Sequence, residues 1–357
     1  MLVYTIMLFL ALFVAYKGKK YIFRTTNNKT IHLYNWIAML PFWFVTCFRY
    51  QVGTDYKTYI ELYATIIPNG SYESDFLFSL LVKFCVNFFN NKHLIIVFIG
   101  TLTIFLIGRF IQKNTENMVL SIILLFFTGT FSISLNLMKQ MLATAIWLNS
   151  LQYIKERKFV KYMFLVLVAA GFHRIAFLYT FLYFFYEKPI PIKKSFPIFM
   201  AFIYIFNNQI RSIIITVTKW LDFYYGYFYN LYDKRQGSGA LLVINIFAFI
   251  IIFKCFQNSQ EKGIYLEKKF NFYYNIQFLC LFFCVLMSIL PNGERIVYLL
   301  LPMQIVSIPS ALQSIEKKKA RYIMIVVSIA VYSMFFIELF VIKNMGATFP
   351  YRFIFSK

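Results

Sequence analysis

The segment FRYQVGTDYKTY, residues 48–59, places charged and aromatic side chains directly after an apolar run. Gly53 permits a tight turn that a β-carbon would hinder, so one short loop can present both Arg49 and Asp55. A guanidinium binds phosphate oxygens in a bidentate way, and a carboxylate accepts protons as a general base. The alternative is a helix end whose arginine extends to the lipid headgroups. The other candidate binding residues in this loop are Tyr50, Thr54 and Tyr56.

The segment NLMKQMLATAIW, residues 136–147, supplies a second group of polar side chains at the start of a predicted helix. Lys139 carries a positive charge, Gln140 carries an amide, and the small Ala143 lets a neighbouring helix or a lipid-linked ligand approach. Lys139 and Gln140 are therefore candidate binding residues. A lysine near a helix end also commonly extends its amine to the headgroup region, and this alternative stays open.

The segment AAGFHRIAF, residues 169–177, puts His173 and Arg174 inside an apolar stretch. Ionisable side chains at membrane depth are costly unless they are paired or hydrated, so their presence favours a functional role. The imidazole of His173 can transfer a proton, and the guanidinium of Arg174 can bind phosphate. The alternative is a helix break at which these side chains bond free backbone carbonyls.

The segment LPNGERIVYLLLP, residues 290–302, predicts a chain reversal followed by a helix. Proline, asparagine and glycine favour the turn, which places Glu294 and Arg295 at the helix start. Glu294 adds a second candidate proton acceptor to Asp55, with His173 as a third. Arg295 completes the candidate cations, which are Arg49, Lys139, Arg174 and Arg295. Such a cluster suits a diphosphate or another anionic group on a lipid-bound ligand.

The elements that must position these residues are membrane helices. Hydrophobic residues make up 60% of the 357-residue chain and aromatic residues 21%, which is outside the range of soluble domains. The apolar runs of about 15 to 20 residues match the length that a helix needs to cross hydrocarbon. We therefore predict an all-α fold, a polytopic integral membrane bundle of about 10 to 12 transmembrane helices.

Two of the apolar stretches are short for independent spans. Residues 76–89 are predicted to form an interfacial or re-entrant helix, and residues 160–186 two short helices that meet at the GFHR sequence. We predict a single transmembrane domain, 1–357, with outer loops at about 49–75 and 217–237.

The net charge of +22 fits cytoplasmic loops of a membrane protein rather than nucleic-acid binding. The basic clusters include KGKKYIFR, KERKFVK and EKKKAR, and the positive-inside rule assigns them to the cytoplasm. All four candidate motifs then fall on the outer side of the membrane.

Several signatures are absent from the sequence. It has no P-loop, no GxGxxG turn, no GxSxG elbow and no HExxH pair, which argues against a nucleotide-driven pump and against the hydrolases that carry those motifs. None of the five cysteines forms a CxxC pair, so we predict no metal site.

The motifs together resemble those of the EpsG family, Wzy-like polysaccharide polymerases of capsule and exopolysaccharide pathways. RYQVGTDYKTY resembles the family's RYxxGTDYxxY signature, and NLMKQMLATAI its N-x-x-RQ-x-x-A segment. GFHRIAF is similar to its FH segment, and ERIVYLLLPMQIVSIP to an arginine followed by an apolar helix. One departure is Lys139, which stands where the family often has arginine and lacks the bidentate fork.

The resemblance implies a glycosyltransferase of the bacterial cytoplasmic (inner) membrane. It would join undecaprenyl-diphosphate-linked oligosaccharide repeat units of O-antigen, capsule or exopolysaccharide type at the outer face, with undecaprenyl diphosphate as leaving group. Cations would neutralise that group, and Asp55 is our first choice of base. No nucleotide and no obligatory metal are implied, because the donor is already activated. A flippase and a chain-length regulator are implied partners.

Three other functions stay open. An O-antigen ligase-like transferase would share the donor but transfer the polymer to another acceptor. A lipid-linked oligosaccharide flippase or transporter would place ionisable groups along a path at mid-membrane. A membrane O-acyltransferase would also use a membrane histidine.

Overall fold

A computed structural model describes residues 1–22, 28–70, 75–191, 195–220, 239–259, 264–287, 289–290 and 292–356 of the chain. In these ranges the regular elements are helices, and the one β-type pairing is an isolated antiparallel bridge between Arg49 and Phe353. The predicted all-α fold class is confirmed. The predicted outer loop at 217–237 lies outside the described residues apart from 217–220.

The described chain divides into two compact units, Met1–Phe184 with Ile305–Lys357, and Phe185–Gln304. The predicted single domain therefore stays a prediction. The N-terminal helices of the first unit are α1 Leu2–Ile22, α2 Asn28–Cys47, α3 Ala64–Ile66, α4 Phe76–Lys83, α5 Leu94–Asn114, α6 Met118–Phe127, α7 Thr130–Asn136, α8 Met138–Lys155 and α9 Phe159–Phe172. The second unit contains α10 Ser195–Ile205, α11 Asn207–Trp220, α12 Gly239–Ser259, α13 Ile264–Leu286 and α14 Glu294–Leu300. The chain returns to the first unit at Ile305, within α15 Gln304–Gln313, and continues in α16 Lys318–Phe336.

Five helical segments in the described ranges are long and apolar enough to cross a membrane, and seven are if each bent pair is one span. One bent pair, α6 with α7, turns by 51° at Gly129, whose φ is +75°. Five shorter apolar helices accompany them, including the expected short helix Phe76–Phe88. Short helices of this kind are tolerable in hydrocarbon when neighbouring helices surround them.

The predicted break in 160–186 is confirmed at His173, whose backbone is extended between two helices. The second helix, Arg174–Phe185, is a 3₁₀ helix. With a rise of about 2.0 Å per residue it extends about 24 Å, which is longer than an α-helix of the same residues. The Tyr179 ring stacks on Trp147 of α8 at 4.2 Å, and its hydroxyl donates to Thr144 Oγ1 at 2.8 Å. These contacts hold the 3₁₀ helix against α8.

The second unit has a buried amide cluster between its helices. Gln277 Nε2 of α13 donates to Asn245 Oδ1 of α12 at 3.0 Å. Gln304 Nε2 donates to the same oxygen at 2.8 Å and to Gln277 Oε1 at 3.0 Å. Hydrogen bonds between side-chain amides hold membrane helices together, because an amide that faced the hydrocarbon instead would have no water to bond.

Candidate functional site

The loop after α2 is held by backbone hydrogen bonds to the C-terminal segment 344–354, here called the tail. Tyr50 N–H donates to Arg352 O at 2.8 Å, Gly53 N–H to Ala347 O at 3.0 Å and Thr54 N–H to Gly346 O at 3.0 Å. In return, Ile354 N–H donates to Phe48 O at 2.9 Å. The tail therefore satisfies donors on both arms of the loop, whose polar groups would otherwise be unpaired near a membrane.

The same loop docks on the junction between α7 and α8. At Leu137 the backbone leaves helical geometry, with φ −84° and ψ 59°, so the side chain of Asn136 can face the loop. Asn136 Oδ1 accepts hydrogen bonds from the Thr54 hydroxyl at 2.7 Å and from the Asp55 N–H at 3.1 Å. Asn136 thus joins the first two motifs and fixes the backbone that carries the candidate base.

Glycine is required at position 53 because the loop packs closely against the backbone of α7 there. Its φ is +99°, and a β-carbon added there would lie 2.8 Å from the carbonyl oxygen of Leu135. Gly70 also has a positive φ, +72°, but no heavy atom lies within 4 Å of its β-carbon position.

We therefore expect Gly53→Ala to be much more harmful than Gly70→Ala. Both variants bear positive-φ strain of about 1–2 kcal/mol, and Gly53→Ala adds about 1–3 kcal/mol of overpacking against Leu135. Thermal unfolding of the purified variants in detergent measures the difference. Equal unfolding temperatures for the two variants would contradict this account of the docking.

Arg49 is fully buried, with 0% of its surface exposed. Its Nη1 donates to Thr46 O at 2.8 Å, and its Nη2 to Leu135 O at 3.1 Å. Both carbonyls lie in the last turn of a helix, α2 and α7 respectively, where carbonyls lack helical partners and the helix dipole is negative. Burial in the protein interior lowers the pKa of the Arg49 guanidinium. The expected contact of Arg49 with a diphosphate stays a prediction and would require these bonds to break.

Lys139 forms an ion pair with a carboxylate outside the predicted motifs, Asp75. Lys139 Nζ lies 3.0 Å from Asp75 Oδ2, and the two side chains are only 13% and 11% exposed. The ammonium also lies over the rings of Tyr63 and Phe78, at 5.1 and 4.7 Å from their centroids. The Lys139 N–H donates to the Tyr59 hydroxyl at 3.2 Å. A charge with this many partners is strongly fixed in place.

The other carboxylate oxygen of Asp75 reaches the third motif. Asp75 Oδ1 accepts the Arg174 N–H at 3.0 Å, while the Arg174 side chain is exposed. The Ile175 N–H donates to His173 Nδ1 at 3.3 Å, so a neutral imidazole carries its proton on Nε2. Asp75 therefore joins the second and third motifs.

Sequence reasoning missed two residues of this arrangement, Asp75 and Asn136. Asn136 lies in the second motif, but the helix break at Leu137 that lets its side chain face the loop is not visible in an apolar pattern. Asp75 is the N-cap residue of α4, and aspartate is common at that position of any helix, so its type there does not indicate a functional role. Asp75 lies 64 residues before Lys139 in the chain, so the sequence pattern around either residue does not indicate the ion pair.

The remaining candidate residues of the first unit are buried or half-buried in or near the loop. Tyr56 is buried, and its hydroxyl lies 3.5 Å from His93 Nδ1. The Tyr50 ring makes an edge contact with the Tyr56 ring at 6.1 Å between centroids. Gln140 is buried at 1% exposure, and the Asp55 side chain is half-buried.

Glu294 and Arg295 belong to the second unit. They begin α14, directly after a turn in which Gly293 N–H donates to Leu290 O at 3.1 Å. Glu294 is buried at 8% exposure, and Arg295 is half-buried. Their participation in a site with the residues of the first unit stays a prediction. Within the described part of the chain, no three histidine, cysteine, aspartate or glutamate side chains cluster as metal ligands.

The sequence model of the EpsG family matches residues 32–353, which is nearly the whole chain and contains every candidate residue above. No curated protein matches the chain. No solved structure matches it either.

Proposed function

The chain belongs to the EpsG family of Wzy-like polysaccharide polymerases, and from this premise we propose that it joins undecaprenyl-diphosphate-linked oligosaccharides into a polysaccharide. The observation that carries the proposal is the meeting of three sequence-distant motifs within one unit. Asn136 bonds the loop at Thr54 and Asp55, and Asp75 bonds both Lys139 and Arg174. A loop that carries a carboxylate, together with two cations, has the groups that glycosyl transfer from a diphosphate requires.

The reaction is a displacement at the anomeric carbon of the donor glycan. The oxygen of an acceptor sugar hydroxyl forms a new bond to that carbon, and its proton passes to the Asp55 carboxylate. The bond between the anomeric carbon and the diphosphate oxygen breaks, and its electron pair leaves with undecaprenyl diphosphate. Exposed Arg174 and the ammonium of Lys139 stabilise that developing charge.

Arg49 has a different role in this proposal. Its guanidinium ties the end of α2 to the end of α7, so it positions the loop on which Asp55 stands. A single positive charge that meets two helix C-termini is stabilised there without a carboxylate. Lysine carries its three donors on one nitrogen, so it lacks the planar fork whose two terminal nitrogens bond the two carbonyls separately here.

The charges of the first unit support an outer-face orientation in this proposal. The loop lies at the end of α2, whose other end adjoins the basic segment 17–24. The tail lies beyond α16, which begins at the basic segment 316–321. The positive-inside rule places both basic segments in the cytoplasm, which favours an outward-facing loop and tail.

Cysteine labelling in intact cells tests the orientation. We expect Lys57→Cys to react with a membrane-impermeant maleimide and Lys158→Cys to react only after permeabilisation, because both lysines are exposed and Lys158 lies in the basic segment after α8. The unmodified chain is the control, since its five cysteines are all buried. Labelling of position 158 and not 57 in intact cells would reverse the proposed orientation.

Purified protein in detergent micelles tests the function itself. With undecaprenyl-diphosphate oligosaccharide and no nucleotide, we expect a ladder of longer lipid-linked glycans and release of undecaprenyl diphosphate. A flippase has no compartments to connect in micelles and would leave the substrate unchanged. A ligase-like transferase would give a single product on another acceptor and no ladder. Either of these results would refute the polymerase assignment.

A further inference from the structure

The tail contacts the candidate site directly before Asp55, the proposed base. Its carbonyl groups at Gly346 and Ala347 accept the N–H groups of Thr54 and Gly53, the two residues directly before Asp55. These bonds, with the bond that Asn136 accepts from the Asp55 N–H, hold three consecutive backbone N–H groups. The Asp55 backbone is therefore clamped between α7 and a segment from the far end of the sequence.

The tail is itself anchored to the helices of the first unit. The Tyr4 hydroxyl of α1 donates to Thr348 O at 2.7 Å, and Tyr351 donates to Val45 O of α2 at 2.9 Å. Asn344 closes the tail on itself, because its Nδ2 donates to Phe349 O at 2.6 Å and its Oδ1 accepts the Phe349 N–H at 3.1 Å. Because the tail is bonded to α1 and α2, its hydrogen bonds to the loop restrain the position of the loop.

We propose that the tail, residues 344–354, is a positioning element of the active site that fixes the Asp55 loop in its reactive geometry. This proposal rests on the proposed function for its effect on catalysis, but the geometry of the loop is independent of it. The proposed action of the tail is carried by its backbone hydrogen bonds to the loop. It acts through Gly53 and Thr54 on Asp55, and misplacing a catalytic group by about 1 Å costs up to about a hundredfold in rate.

Asn344→Gly tests the proposal with a matched control. Asn344 has a φ of +44°, so glycine keeps the backbone and removes only the two bonds to Phe349. Asn90→Gly makes the same change at a φ of +48°, outside the tail and the loop. We expect Asn344→Gly to lower kcat for polymerisation by about tenfold or more while KM for the lipid-linked donor stays within about twofold, because positioning affects the reaction step and not binding. Asn90→Gly should have neither effect.

A conservative variant separates positioning from folding. Asn344→Asp keeps the acceptor for the Phe349 N–H and tolerates the positive φ, so it should recover part of the lost kcat. A merely structural tail would instead reduce the folded fraction in all Asn344 variants and leave kcat per folded molecule unchanged. That result would overturn the proposal.

The labelling rate of a thiol introduced by Lys57→Cys measures the accessibility of the loop and does not depend on polymerase activity. In that background, Asn344→Gly should change the rate of maleimide labelling at this exposed position by about fivefold or more, because the variant loses both hydrogen bonds to Phe349 and one such bond corresponds to about that factor. An unchanged rate overturns the proposal. If the unmodified protein makes no polymer but the labelling rate changes, the proposed function fails and the positioning role of the tail stands.

Discussion

Replacing Asp55 with asparagine is expected to leave single repeat units where the unmodified protein makes long chains. Asparagine has the shape of aspartate but cannot accept the hydroxyl proton, and general base catalysis contributes about a hundredfold to ten-thousandfold in rate. The backbone bond from position 55 to Asn136 Oδ1 survives the change, so the loop should stay docked. A glycan ladder from cells that carry the variant measures the effect, with the amount of protein in the membrane determined in parallel.

Glu61→Gln is the matched control for Asp55→Asn. It makes the same change of carboxylate to amide in the adjacent π-helix Thr58–Tyr63, on an exposed side chain. We expect a normal ladder from it. Long chains from a stable Asp55→Asn protein would remove Asp55 as the base, and Glu294→Gln and His173→Gln would then identify the acceptor.

The second large effect is expected at the ion pair of Lys139 and Asp75. Asp75→Asn or Lys139→Met alone leaves one uncompensated charge in a site that is nearly closed to solvent, which costs about 3–5 kcal/mol. Each single variant should therefore lose both stability and polymer. The double variant removes both charges and should recover much of the stability without recovering polymer, because the cation at position 139 is still absent.

Two further variants sharpen the test of this ion pair. Lys139→Arg keeps the positive charge and adds a bidentate donor, so it should retain polymer formation. Glu338→Gln breaks the exposed pair with Lys343, whose side chains are 47% and 54% exposed, and should cost at most about 1 kcal/mol. Thermal unfolding and the glycan ladder measure the two effects separately. Wild-type polymer from the double variant would show that Lys139 does not act on the substrate.

Several local features were predictable because a short stretch of sequence encodes them. The apolar runs specify membrane helices, since only a helix of that length satisfies its backbone in hydrocarbon. The GFHR sequence marked the break at which the structure has His173 extended between two helices. Gly53 marked a turn, and its φ of +99° confirms it.

The placement of the charged groups was not predictable in the same way. The contact of Arg49 with a ligand stays a prediction, and the structure adds that its guanidinium bonds two helix ends in the protein interior. The pattern of one segment contains no information about the carbonyls of α7, which lie more than 80 residues away. The partner of Lys139 was hidden for the same reason, because Asp75 lies in a separate segment.

The sequence by itself determined the class of the protein, its family, the helix break at His173 and the identity of the polar motifs. These properties depend on the local period of apolar residues and on the intrinsic preferences of glycine and charged side chains. Only the tertiary structure decided that Arg49 is buried, that Asp75 and Asn136 join the motifs and that the tail pairs with the loop. Such contacts depend on which distant segments pack together, and packing is a property of the folded chain as a whole.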